Sequence, residues 1–73
     1  MRYSRTEIKH YLKDDPYTTP ELLNKWACQV FIHPLDPEYA QRIENGQSDF
    51  VTLLIGNSWE EVNNQFKQME GDD

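Results

Sequence analysis

Phe50-Val51-Thr52-Leu53-Leu54-Ile55 is an unbroken apolar run of strand length, closed by Gly56-Asn57. A strand cannot stand alone, because its backbone N–H and C=O groups need partners. The chain offers one comparable run, Cys28-Gln29-Val30-Phe31-Ile32-His33, which ends at Pro34. The two are therefore coupled: either both are strands or both are helical. Their β-branched and aromatic content favours strands, over 28–33 and 50–55. Two strands make a weak sheet, so a third is expected from the 39–44 region or from a neighbouring molecule. The expected fold class is α+β, a small two- or three-stranded sheet packed by helices. The competing reading is an all-α bundle of five short helices.

Four helices are expected around that sheet. Ser4-Arg5-Thr6-Glu7 has the form of a capping box, with Tyr3 and Ile8 placed as a hydrophobic staple, so a helix is expected over 5–13. Ile8, Tyr11 and Leu12 would share its apolar arc, and Asp14-Asp15-Pro16 would end it. Thr18-Thr19-Pro20-Glu21 reads as a start signal for a helix over 20–27. Asp36-Pro37-Glu38 and Asn45-Gly46 bracket a helix over 37–45, with Leu35, Tyr39 and Ile43 at steps of four. Asn45-Gly46 also suits a hairpin turn, but the helix explains both ends of the segment. Ser58-Trp59-Glu60-Glu61 is a second capping box, opening a helix over 58–69 whose Trp59, Val62, Phe66 and Met69 share a face. Residues 70–73 read as a frayed acidic tail.

At 73 residues the chain has room for one domain, 1–73. Its single cysteine excludes an intrachain disulfide, and a small unstapled domain often leans on a partner or on itself. Nine aromatics offset a modest hydrophobic fraction of 37%. No apolar run approaches the roughly 20 residues that span a membrane. The N-terminus leads into no apolar signal segment, so a cytoplasmic protein is expected.

The charge is unevenly placed. Residues 1–25 carry five basic residues against four acids, a net of +1, and residues 26–73 carry two against nine, a net of −7. Such a field selects partners. On the expected first helix, Arg5, Lys9 and Lys13 step by four as a basic stripe, which would meet phosphates or an acidic protein face. The plain alternative is a solvated surface. The acidic remainder would dock onto a basic surface, or merely keep the protein soluble. Tyr3 and Tyr17 fall outside the helical patterns and read as interface residues, whereas Trp26 and Trp59 read as core.

Chemistry-bearing patterns are sparse. His10, His33 and Cys28 lack the spacing of a zinc site. Cys28 and His33 have no recognisable orienting group or oxyanion hole beside them. Glu60 and Glu61 are adjacent in a helix and diverge, so they read as first-turn acids, not as a catalytic pair. No glycine-rich phosphate loop is present. These readings assign no catalytic residue, metal or cofactor. They describe a small acidic regulatory protein that binds a larger protein with a basic surface, such as RNA polymerase or another transcription or nucleic-acid-processing enzyme, as inhibitor or modifier. Phage-type regulators act this way, an analogy of size and charge only. The expected contacts are Arg5, Lys9, Lys13, Tyr3, Tyr11 and Tyr17 on one side, and the acidic half with Glu60 and Glu61 on the other. The alternatives are a nucleic-acid-binding module using the first helix, which the net charge opposes, and a homodimeric or structural subunit.

Overall fold

The computed structural model describes residues 2–71. Its elements in chain order are β1 (Tyr3–Arg5), β2 (Lys9–His10), β3 (Trp26–Ile32), α1 (Pro37–Glu44), β4 (Phe50–Gly56) and α2 (Trp59–Gly71). They build an α+β domain: a four-stranded antiparallel sheet with two helices. The two apolar runs are both strands, and the all-α alternative does not hold.

β3 is the centre of the sheet because it is the strand with partners on both sides. β4 pairs along its length, from Trp26 opposite Gly56 to Phe31 opposite Phe50, with a register shift between Val30 and Phe31 that leaves Val51 as a bulge. The other side of β3 is shared. β1 takes its C-terminal half, Tyr3 opposite Ile32 and Arg5 opposite Val30, and β2 takes its start, Lys9 opposite Ala27 and His10 opposite Trp26. Between them Glu7 and Ile8 together face Cys28, a second bulge.

This corrects the helix expected over 5–13. The backbone of Gln29 must be satisfied on its β1 side, and Thr6 does it: its N–H donates to Gln29 O at 3.0 Å, and its hydroxyl accepts from Gln29 N–H at 2.9 Å. Pairing with a central strand outweighs a local cap signal. The third strand thus comes from the N-terminus, not from 39–44. The helix expected over 20–27 is also absent. Residues 20–24 are turns, Asn24 adopts a left-handed φ of 62°, and β3 begins at Trp26. Asparagine tolerates that conformation better than most residues. It redirects the chain into the ladder, where Asn24 N–H donates to Tyr11 O and Tyr11 N–H donates to Lys25 O.

The other two helices form close to their expected bounds. Asp36 caps α1 by accepting from Glu38 N–H at 2.9 Å, Pro37 opens its first turn, and Gly46, at φ 73°, follows its end. α1 buries no residue; its Ile43, and Leu35 just before it, stay exposed. α2 is capped by Ser58, whose hydroxyl accepts from Glu61 N–H at 3.1 Å. It runs through Glu70 and Gly71; residues 72 and 73 of the expected tail lie outside the described residues.

α2 lies on one face of the sheet. Alternation along β3 sends Cys28 and Val30 to that face, where they meet Ile8, Val62 and Phe66. Tyr3, Trp26, Val51, Leu54 and Met69 pack around this cluster. Val30, Ile32 and Val62 are fully buried, each stabilising the fold by about 1.5–3 kcal/mol. Trp59, expected in the core, stands exposed at the first residue of α2. Among the described residues no helix is long and apolar enough to cross a membrane.

Candidate functional site

The opposite face of the sheet has no helix over it. Alternation places Ala27, Gln29 and Phe31 of β3 there, with Leu53 and Ile55 of β4 as their register partners and Phe50 beside Phe31. The rings of Phe31 and Phe50 meet edge to face, 5.8 Å between centroids. Phe50, Leu53 and Ile55 remain 42%, 39% and 37% exposed. A strand apolar on both faces normally has cover on both. Among the described residues the cover here is part of the loop between β2 and β3.

That loop makes a groove with the sheet. Its volume is about 470 Å³, and Lys9, Tyr11, Tyr17, Leu22, Gln29 and Leu53 line it. The walls are held by turn chemistry. Asp15 accepts from Tyr17 N–H at 2.8 Å, and the Thr18 hydroxyl donates to Leu12 O at 2.7 Å. Lys9 lines the groove. Its ammonium pairs with the Asp15 carboxylate and lies 5.2 Å from the Tyr11 ring and 5.9 Å from the Tyr17 ring. The Asp15 hydrogen bond holds the Lys9 pKa above its ordinary value. The same bond, with the Tyr17 N–H, holds the Asp15 carboxyl below its own. Tyr17 is 76% exposed above this pair.

The structure brings together three of the residues singled out from sequence: Lys9, Tyr11 and Tyr17. It separates the others. Arg5 points to the helix-covered face, where its guanidinium stands over the Phe66 ring at 5.6 Å. Tyr3 packs against the core on that same face. Lys13 is exposed in a turn. Arg5, Lys9 and Lys13 therefore form no stripe, because the stripe required a helix and the strand puts Arg5 and Lys9 on opposite faces. Glu60 and Glu61 lie exposed in the first turn of α2, remote in sequence from the groove. Leu22, Gln29 and Leu53 were not identified from sequence. The signal that reaches Leu53 is that the run 50–55 is apolar at odd and even positions alike, so both its faces are apolar.

The groove offers aromatic and apolar side chains, one paired cation and the Glu7 carboxylate, with no nucleophile and base in contact among the groups described. Among the described residues, no three His, Cys, Asp or Glu side chains gather to hold a metal ion. The chain matches no known protein-family model, no curated protein and no solved structure.

Proposed function

We propose that this chain is a small acidic regulatory protein, not an enzyme, that binds a larger protein through the uncovered face of its sheet. The observation that carries the reading is the groove lined by Tyr11, Tyr17, Leu53 and Lys9 on a face with no helix over it among the described residues. Apolar and aromatic side chains left open beside a polar rim are the composition of a docking surface. Tyrosines supply large contact area at little cost in side-chain entropy.

The partner's chemistry follows from charge. A chain of net charge −6 approaches a basic surface fastest, and transcription and nucleic-acid-processing enzymes such as RNA polymerase carry such surfaces in the cytoplasm. Binding there would inhibit or modify the enzyme. The exposed acids of α2, Glu60 and Glu61, would steer the encounter, and the groove would hold it. Dispersal of Arg5, Lys9 and Lys13 removes the support for a nucleic-acid-binding module, which needs a connected basic footprint.

Affinity capture from lysate with tagged wild type and tagged Tyr17→Ala tests the reading. A protein retained at physiological salt by the wild type, and released by the substitution while the fold is kept, supports it. No specific enrichment, or capture indifferent to Tyr17, argues against it.

A further inference from the structure

We infer that the free edge of β4 pairs with the β4 edge of a second copy of this chain, joining two sheets into one across a two-fold axis at Leu53. This goes beyond the proposed binding function and does not depend on it.

The backbone supplies the first argument. Gln29 uses both its N–H and its C=O on Thr6, so the Gln29–Leu53 pair exchanges no hydrogen bonds, and Leu53 points its own N–H and C=O outward. The same alternation turns Ile55 outward. Its C=O accepts from Gln65 Nε2 at 3.1 Å, which shows that side facing away from β3. No other element's backbone pairs with this edge among the described residues. An unpaired edge of this kind is a template for another strand.

The two edges of the sheet are not alike. The β1–β2 edge is broken by a bulge and carries Arg5, Glu7 and Lys9, the devices that discourage pairing. The β4 edge has no charge and no proline from Phe50 to Gly56, and its bulge is confined to the Val51 end.

Charge selects the occupant. The chain has two uncharged stretches of ten residues, 26–35 and 50–59. The first holds β3, which is paired on both sides; the second holds β4, which keeps one side open. Antiparallel pairing about Leu53 places Leu53 opposite its own copy and Thr52 opposite Leu54, with Ile55 beside the Val51 bulge. The segment paired in this way, Phe50 to Gly56, carries no charge, although each chain carries −6. The edge is thus self-complementary where the rest of the molecule repels itself. On the open face, Leu53 and Ile55 of both copies would join into one apolar strip. The carbonyl of Ile55 can keep Gln65 and accept a second N–H, because an amide oxygen has two lone pairs.

Sedimentation of the purified chain over a concentration series tests this, with amide exchange at Leu53 and Ile55 read in parallel. A monomer–dimer equilibrium is expected that strengthens with added NaCl, because salt screens the repulsion between the two acidic bodies. Protection of the Leu53 amide should rise with protein concentration. Ile55→Pro removes an outward N–H that serves no pairing within the chain, and should sediment as monomer throughout. Leu53→Lys is the second variant: it makes each chain less negative yet sets two ammonium groups face to face, and it should also stay monomeric. Tyr17→Ala, away from the edge, should dimerise like the wild type, so failure of the binding function and failure of the dimer are told apart. A wild type that remains monomeric at millimolar concentration overturns the proposal. So does a dimer that survives in both folded edge variants, or one whose formation leaves Leu53 exchange unchanged.

Discussion

The His10 imidazole lies flat on the Trp26 indole, with centroids 4.5 Å apart and planes 4° from parallel. The two are register partners at the end of the β2–β3 ladder. β2 contributes only two residues to the sheet, so this stack is a large part of what anchors it. His10→Ala is expected to cost about 0.5–1.5 kcal/mol, the usual worth of a stacked aromatic pair. Urea unfolding followed by Trp26 fluorescence in a Trp59→Phe background measures it, Trp59 being exposed. The midpoint should fall with the slope unchanged, and His10→Phe should restore most of the loss. An unaltered midpoint in His10→Ala removes the stack from the account of β2.

The turn from β4 into α2 carries a second coupling. Glu61 reaches back past the cap, and its Oε2 accepts from Asn57 N–H at 2.6 Å. A Cβ on Gly56 would sit 3.1 Å from that carboxyl group. Gly56→Ala should therefore push Glu61 off the Asn57 amide and destabilise the chain. The same substitution in a Glu61→Ala background should be close to neutral. A double-mutant cycle by thermal unfolding reads the difference, and additivity of the two changes would refute the contact. Ser58→Ala, which removes the cap itself, should cost about 1 kcal/mol.

Local signals explain what the sequence revealed. The cap and stop at Asp36, Pro37 and Gly46, and the box at Ser58 to Glu61, act within a few residues, and both helices form where these stand. The run 50–55 needed a partner of its own kind, and 28–33 was the sole candidate. The N-terminal quarter was misread for a physical reason. Glu7 and Ile8 share one place opposite Cys28, so the residues facing the helix-covered side, Tyr3, Arg5, Ile8 and His10, fall at steps of two, three and two. That spacing mimics a helix more closely than a strand. The groove was half legible: Lys9, Tyr11 and Tyr17 lie within one segment, whereas Gln29 and Leu53 reach it only through strand pairing.

Asp36 ties the residue before β1 to the start of α1. Its Oδ2 accepts from Arg2 N–H at 2.6 Å, and its Oδ1 accepts from Glu38 N–H at 2.9 Å. These bonds, that to Arg2 foremost, hold its carboxyl below the ordinary value although it is only 6% exposed. A lowered folded pKa contributes stability above the unfolded pKa and loses it as pH falls through the folded one. Asn cannot replace it, because the two donors bond separate oxygens and an amide would turn its NH2 group against one of those N–H groups. Asp36→Asn should melt below the wild type near neutrality, and the gap should close as pH is brought down through the carboxylate range. A gap constant with pH would show that the ionised carboxylate is not the stabilising form. The lowered Asp15 has the same sign but is present in both proteins, so the comparison isolates Asp36.

Cys28 offers a chemical clock for opening of the core. It is 1% exposed, pairs with Leu54 across the ladder and packs with Val62 and Phe66. Burial pushes its thiol pKa up, while the Arg5 charge acts weakly the other way. The thiolate is the reactive form, so both inaccessibility and the raised pKa slow attack. Reaching Cys28 means lifting α2 off β3, which removes the main core and amounts to unfolding the domain. For an opening free energy of about 3–5 kcal/mol, a disulfide reagent should label the folded chain roughly 10²–10⁴-fold more slowly than the urea-unfolded one. The labelling rate should track urea-induced loss of helix signal with a common slope. Cys28→Ser should be less stable than Cys28→Ala, because a hydroxyl buried without a partner costs about 1–3 kcal/mol. Fast labelling in native buffer would mean that α2 leaves the sheet far more readily than the packing of Val62 and Phe66 on Cys28 and Val30 allows.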